Sequence, residues 1–231
     1  MKSLSLLLPL LVLLNSCSDN TPSQSTVGPA PSTSQAASET PAGADFSTER
    51  NAYFGDLHVH TMYSYDAFIF GTTSSPDDAY QFAKGGALTH PAGFEMQLDV
   101  PLDFYGVTDH AYYLGVLREM AIGDSEVARH EVAEGMDALG DDIAYRRRMF
   151  AKFRDFARSD RRMEIMDGGV VKTAWDDIVA AANRHNDPGN FTAFVGYEYT
   201  TSGSEYENLH RNVIFRGAEV PDMPFSKLNS V

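Results

Sequence analysis

Short hydrophobic segments typical of β-strands alternate with helical segments over the last three quarters of the chain. Strands are predicted at residues 51–58, 102–108, 191–197 and 212–215. Helical patterns separate them, at 76–84, within 118–163 and at 174–182. Since strands separated by helices pair side by side in the same direction, the alternation predicts an α/β fold with a largely parallel sheet or barrel.

The first of these helices carries the clearest local signals. Ser75 is a typical N-cap, Pro76 suits the first turn, and two acidic residues follow it. Gly85 and Gly86 are expected to end the helix.

Charge and cysteine content restrict the kind of ligand that the chain can bind. The 18 Lys and Arg residues against 32 Asp and Glu give a net charge of −14, which argues against a protein that binds nucleic-acid phosphates. A single Cys excludes a disulfide framework and a zinc site built from thiolates. Any metal ion must therefore be held by His, Asp and Glu.

The first 16 residues are typical of a signal peptide. Lys2 precedes an apolar run, Leu4 to Leu14, which is too short to cross a hydrocarbon core of about 30 Å. The run ends at Cys17, the only cysteine, in a setting that resembles a bacterial lipobox. This resemblance implies a lipid on Cys17 and an anchor in the cell envelope, periplasmic or at the outer membrane. The alternative is an ordinary signal peptide with a cysteine present by chance.

Residues 17–45 are predicted to form a disordered tether. Ser, Thr, Pro, Ala and Gly fill 21 of the 28 positions from Ser18 to Asp45, and such a segment cannot bury enough apolar surface to fold. The folded domain is therefore expected at residues 46–231.

Polar residues follow the predicted strands. His58 and His60 are two residues apart, so their side chains should point the same way and could bind one ion. His110 and Glu198 also lie at the ends of strands, where α/β folds bind their ligands. His210 lies at the start of a strand, so we expect a loop to fold it towards the others.

Taken together, these motifs resemble the polymerase-and-histidinol-phosphatase (PHP) superfamily. The segments that carry the resemblance are Gly55–Thr61, Ser64–Ala67, Thr108–His110, Glu198 and His210. Within the superfamily, four segments look like a branch catalogued as a domain of unknown function: Gly55–Thr61, Pro101–Phe104, Gly196–Thr200 and His210–Phe215. The resemblance implies a distorted (β/α)7 barrel that holds two or three Mn, Zn or Fe ions. It also implies hydrolysis of a small-molecule phosphoester by water activated between the ions.

The resemblance also implies roles for single residues. His58 and His60 would bind one metal ion, His110 and His210 would contribute to the others, and Glu198 would bridge them and take part in catalysis. Asp56, Asp66 and Asp109 would orient the histidines. Asp109 is in addition a candidate catalytic residue, and Arg211, chosen for its position beside His210, could pair with a phosphoryl oxygen. Its alternative is a surface or ion-paired arginine.

PHP sites are completed by later histidines and an Asp-x-His motif, and no His follows His210 before Val231. The sequence is therefore expected to be the N-terminal part of a longer enzyme, with the barrel incomplete at its C-terminal end. Two alternatives stay open. The scaffold could hydrolyse an amide, a non-phosphate ester or a sugar-linked substrate, or it could be an inactive binding protein anchored to the cell surface. No nucleic-acid or protein partner is expected.

Overall fold

A computed structural model describes residues 51–202 and 208–229 of the chain. The predicted signal peptide, the lipidation site Cys17 and the tether lie outside the described residues. Within the described residues no helix is both long enough and apolar enough to span a bilayer.

The described part is a mixed α/β structure. Its strands are β1 (Gly55–Val59), β2 (Leu88–Thr89), β3 (Glu95–Met96), β4 (Phe104–Val107), β5 (Thr192–Ser202) and β6 (Asn208–Ile214). Its α-helices are α1 (Tyr65–Ile69), α2 (Pro76–Ala83), α3 (Val116–Ile122), α4 (Ile143–Ala157) and α5 (Gly168–His185). The alternation of strands and helices predicted from the sequence is present.

Four strands form the main sheet, in the order β1-β4-β5-β6. The pairs β1–β4 and β4–β5 are parallel, whereas β6 runs antiparallel to β5. The sheet curls like half of a barrel, consistent with a partial α/β barrel. β2 and β3 form a separate antiparallel pair.

The helix boundaries follow from capping residues. Ser75 caps α2, with its hydroxyl accepting a hydrogen bond from the Asp78 amide while the Asp78 carboxylate accepts one from the Ser75 amide. α5 begins well before the predicted 174–182 because the Asp167 carboxylate accepts hydrogen bonds from two amides of its first turn. The Asp167 cap thus allows the helix to begin at Gly168 and Gly169, although glycine is a poor helix former.

The main core lies between the sheet and helices α2 and α5. Tyr80 of α2 and Trp175 and Ile178 of α5 are buried against Val107 and Val195 of the sheet. Since side chains alternate along a strand, the neighbours of these strand residues face away from the helices. That opposite face carries the candidate site.

Residues 118–163, predicted as long helices, contain breaks. α3 ends at Gly123, and three short 3-10 helices follow before α4, at Val127–Arg129, Glu131–Ala133 and Met136–Ala138. Gly135 has a φ of 86°, a conformation that few other residues adopt and that interrupts a helix. α4 buries Phe153 in a second core with α1 and α3.

Candidate metal centre

Glu198 lies at the centre of a cluster of four histidines on the face of the sheet away from α2 and α5. Its side chain is fully buried. Its Oε2 is 2.8 Å from His60 Nε2 and 3.0 Å from His58 Nε2. Its Oε1 contacts His210 Nδ1 and lies 3.5 Å from His110 Nδ1. One carboxylate therefore faces ring nitrogens of all four histidines.

The two histidines of the first strand approach the same carboxylate oxygen. His58 lies in β1 and His60 just beyond its end, and the register of β1 against β4 shifts between Asp56 and Val59. The two rings are 5.1 Å apart between centroids. The side chain of His58 is 59% exposed, whereas that of His60 is 17% exposed. The cluster is therefore open to solvent on the His58 side.

His210 reaches the cluster without the loop that the sequence suggested. The prediction assumed a parallel strand, but β6 is antiparallel, so it begins at the end of the sheet where β5 finishes. His210 is paired in register with Thr200, two residues beyond Glu198 on the same face of β5. The hairpin geometry alone brings its ring to Glu198.

His110 is held from several directions by buried groups. Its Nδ1 is 2.6 Å from Thr200 Oγ1, and its amide donates a hydrogen bond to Ser64 Oγ. Its ring stacks on Tyr65 with centroids 4.6 Å apart. The imidazole orientation is thus set before any ligand binds.

Asp66 takes a more direct part than the sequence indicated. Its Oδ1 lies 3.2 Å from His60 Nδ1 and its Oδ2 lies 3.3 Å from His110 Nε2. It therefore faces ring nitrogens itself and is a candidate ligand as well as an orienting group. The available signal in the sequence was its position six residues after His60, within the Ser64–Ala67 motif.

Three groups of side chains could each hold a metal ion. Within each group the candidate ligand atoms lie within 4.8 Å of one another. The groups are His58, His60 and Glu198; His60, Asp66 and His110; and His110, Glu198 and His210. Because neighbouring groups share residues, ions bound in them would be close together.

The electrostatics of the cluster favour bound positive charge. Burial lowers the pKa of His60, but hydrogen bonds to Asp66 and Glu198 and the negative charges of Asp66 and Asp109 outweigh it and raise that pKa to about 10. Burial raises the pKa of Glu198, but the surrounding histidines lower it to about 2. Burial likewise opposes ionisation of Asp66, yet His110 and His60 hold its pKa well below the usual range. The carboxylates are thus kept ionised and stabilise cations nearby.

Asp109 and Arg211, two candidate catalytic residues, make no hydrogen bond to the histidine rings of the cluster in the described part of the chain. The buried Asp109 directs its carboxylate to Thr61, accepting hydrogen bonds of 2.5 Å from the amide and 2.6 Å from the hydroxyl. It fixes the chain next to His60, which makes it a positioning residue. Asp56 similarly accepts a hydrogen bond from the His58 amide, so neither it nor Asp109 contacts an imidazole ring.

Arg211, the other candidate catalytic residue that lies away from the cluster, is placed by the geometry of β6. Successive side chains of a strand point to opposite faces, so Arg211 faces away from the side that carries His210. It is exposed and donates a hydrogen bond to the carbonyl of His210 at 2.9 Å. Arg211 therefore does not face the cluster, and its pairing with a phosphoryl oxygen stays a prediction.

Comparison with known proteins places the chain in a family. The profile of DUF3604, described as a protein of unknown function, matches residues 47–231. The chain belongs to the DUF3604 family. No curated protein and no solved structure gives a significant match. The DUF3604 match includes every residue of the His, Glu and Asp cluster, so the candidate metal centre lies inside the family's domain.

Proposed function

We propose that this DUF3604 protein is a metal-dependent hydrolase, and specifically a phosphoesterase related to the PHP superfamily. The observation that carries the proposal is the convergence of four histidines on the buried carboxylate of Glu198, with Asp66 beside two of them. These residues come from four separate parts of the chain. Packing of the apolar core does not require polar side chains to meet at one point.

The donor set suits a cluster of transition-metal ions. Imidazole nitrogen and carboxylate oxygen are the ligands that Zn, Mn and Fe take in proteins, and no thiolate is needed. His58 and His60 would hold one ion with Glu198, and His110 and His210 would hold another through the other oxygen of Glu198. Asp66, between His60 and His110, would serve a third.

The protein's own residues would position these ligands and keep the site open to substrate. Bound divalent ions would supply Lewis acidity, which activates water and stabilises charge on a phosphoryl oxygen. Thr200 holds the His110 ring, and Asp109 fixes the segment that carries His60. Substrate would enter past His58, the most exposed ring of the cluster.

The fold is part of the same proposal. In a PHP-type barrel the metal ligands lie at the carboxyl ends of the strands. The curled sheet, with β1, β4 and β5 parallel and the cluster towards their carboxyl ends, supports that assignment. We infer that the described strands form part of such a barrel.

The metal content of the purified chain tests the proposal. We expect at least one equivalent of Mn, Zn or Fe per chain, measured by elemental analysis, and its loss in His58→Ala/His60→Ala. His90→Ala is the matched control, since His90 stacks on Phe94 away from the cluster, and it should keep the metal. A folded wild-type chain that takes up none of these metals would contradict the proposal.

Substrate panels separate the phosphoesterase from the two alternatives. Phosphomonoesters and phosphodiesters should be cleaved faster than sulfate esters, carboxylic esters and amides by the metal-loaded chain. Faster cleavage of a non-phosphate substrate would keep the metal centre but change the substrate class. A metal-loaded chain that cleaves nothing in the panel would favour the binding protein.

Attachment to the cell envelope is a further part of the proposal and depends on the sequence around Cys17 alone. Mass analysis of the N-terminal peptide, from a bacterium with a lipoprotein-processing pathway, should find a diacylglycerol on Cys17. Cys17→Ala should release the protein from the membrane fraction.

A further inference from the structure

The basic residues of this acidic chain are concentrated next to the candidate metal centre. Residues 143–163 hold eight of the 18 Lys and Arg residues and only two acidic residues. The segment comprises α4 and the turns that follow it. The segment therefore has a local excess of positive charge, although the chain has a net charge of −14.

Several of these side chains already have partners. Arg154 pairs with Asp155, and Arg161 pairs with Glu131 and Glu164. Arg146 and Lys152 donate to backbone carbonyls. These contacts fix the surface of α4 and the turns around it.

Arg158 and Arg162, like Arg147 and Arg148 of the same segment, have no acidic partner among the described residues. Arg158 and Arg162 are both exposed. The only hydrogen bond from their side chains to described residues is a 3.4 Å contact from Arg162 to the Ser159 carbonyl. Their guanidinium groups are therefore available to a ligand.

Two tyrosines tie these arginines to the metal centre. Tyr112 donates a hydrogen bond of 2.9 Å to the carbonyl of Ala157, next to Arg158, and Tyr113 donates one of 2.6 Å to the carbonyl of Arg162. Both tyrosines follow His110 within three residues. The backbone that carries the arginines is thus bonded to the segment that carries a candidate metal ligand.

A third cation lies at the same place. The ammonium of Lys227 is 4.9 Å from the centre of the Tyr112 ring. Burial lowers the pKa of Lys227, and the positive charges of Arg162 and Arg158 lower it further. The C-terminal part of the described chain therefore adds a cation within electrostatic range of both arginines.

Tyr65 lies between this group and the candidate metal ligands. One face of its ring stacks on His110, and its ring also packs on Tyr112 and Phe153. Arg158 follows Phe153 by five residues, which is little more than one turn and a rise of about 8 Å along the helix axis. The backbone of Arg158 thus lies about one helical turn beyond the aromatic layer that contacts His110.

We propose that Arg158, Arg162 and Lys227 form a subsite for an oxyanion of the substrate, a phosphate or carboxylate group remote from the bond that is hydrolysed. This proposal rests on the proposed hydrolase function, because it assigns the substrate two parts. The scissile ester lies at the His and Glu cluster, and the second anionic group lies at the cationic subsite. Arginine suits this role because its planar fork of N–H donors matches two oxygens of one group.

The test measures anion binding without metal, so that it can succeed or fail apart from catalysis. The full chain is stripped with chelator, dialysed into chelator-free buffer of low ionic strength at pH 8, and titrated with pyrophosphate in a calorimeter. Succinate, titrated in parallel, distinguishes a phosphate site from a carboxylate site. Low salt is needed because exposed charges are screened at higher ionic strength.

Arg158→Gln/Arg162→Gln should weaken binding of the preferred anion by at least about tenfold. Arg147→Gln/Arg154→Gln removes the same charge from the adjoining helix α4 and should leave the affinity unchanged. Equal affinities in the two double variants, or a wild-type chain that binds neither anion, would overturn the subsite. Thermal unfolding of each variant shows that the fold is kept.

The variant His58→Ala/His60→Ala separates this proposal from the proposed function. It should lose metal and keep the anion affinity of the metal-free wild type. If the wild type takes up no metal while Arg158 and Arg162 still bind the anion, the hydrolase proposal fails and the anion site remains. Loss of anion binding in this variant would show that the histidines, and not the arginines, bind the anion.

Discussion

The ring of Tyr65 stacks on the ring of His110, with centroids 4.6 Å apart and planes inclined by 16°. Tyr65 is the first residue of α1, and His110 follows β4. The contact joins two segments that bring candidate ligands to one site, because the neighbour of Tyr65 in sequence is Asp66. The position of the helix therefore sets both a ring orientation and a carboxylate position.

Replacing Tyr65 tests this arrangement. Tyr65→Phe keeps the stacked ring and should leave metal affinity within a few-fold of wild type. Tyr65→Leu removes the aromatic pair and should lower the free energy of unfolding by about 1 kcal/mol, with metal affinity reduced by about tenfold or more. Urea unfolding of the metal-free chain and competition with a chromophoric chelator measure the two effects. Equal metal affinity in all three proteins would show that stacking does not position His110.

Removing the charge of Glu198 should remove most of the bound metal. Glu198→Gln keeps the size of the side chain but provides a neutral amide, and Glu198 belongs to two of the three candidate groups. We expect the variant to retain at most the metal held by the remaining group of His60, Asp66 and His110. Elemental analysis of the purified variant beside Glu95→Gln, in the separate β2–β3 pair, checks this. Full metal content in Glu198→Gln would refute the central role of this carboxylate.

A methyl group at Gly196 should disturb the strand pair that carries Glu198 and His210. A Cβ at Gly196 would lie 2.9 Å from both the Ile214 side chain and the Val213 carbonyl. Gly196→Ala should therefore lower the free energy of unfolding by about 1–3 kcal/mol. Gly140→Ala, where nothing lies within 4 Å of the added carbon, should change it by no more than about 0.5 kcal/mol. Chemical denaturation gives both values, and similar values would contradict the close approach.

The ion pairs between α2 and α5 should be lost in acid. The Arg184 hydrogen bond, opposed by burial and helped by His185, lowers the pKa of Asp77 below its ordinary value. A carboxyl with a depressed pKa in the folded state stabilises the fold above the unfolded pKa and ceases to do so as pH falls through the folded value. Wild type should thus exceed Asp77→Asn by about 1 kcal/mol at pH 6, since the pair is partly exposed.

That difference between wild type and Asp77→Asn should shrink steadily below about pH 4. Denaturant unfolding of the metal-free proteins at several pH values measures it. Asp176→Asn is the control, because Asp176 pairs with Lys172 across one turn of the same helix at an exposed position, and it should change stability by a few tenths of a kcal/mol. A difference for Asp77→Asn that stays constant down to pH 2 would contradict the assignment.

The part of the site that could be predicted from the sequence is the part set by strand ends. His58, His60, His110 and Glu198 each follow or end a recognisable strand, and parallel strands bring their ends together. The direction of β6 could not be predicted from its composition. His210 was therefore correctly predicted to lie near the other histidines, but a loop was wrongly predicted to bring it there. Asp66 was predicted only to orient the histidines, because the sequence does not show that its two carboxylate oxygens face two different imidazole rings.

Other differences have equally local causes. The breaks within residues 118–163 depend on glycine conformations, such as the positive φ of Gly135, which a pattern of apolar spacing does not contain. The contacts of the basic side chains in residues 143–163 likewise depend on the folded structure, because spacing along a helix does not show which arginines meet an acidic residue. Neighbours in sequence were treated as neighbours in space for Arg211, and the alternation of a strand reverses that.

The composition of the site depends on the register in which β5 and β6 pair. Thr200 faces His210 because the two strands pair in one register, and a shift of a single residue would turn Arg211 inwards and His210 outwards. The main-chain hydrogen bonds between β5 and β6 therefore determine which side chain of β6 reaches Glu198. A one-residue shift of β6 would bring a guanidinium, which has no capacity to bind a metal ion, to the face that carries Glu198, and would also turn Val213 away from the core.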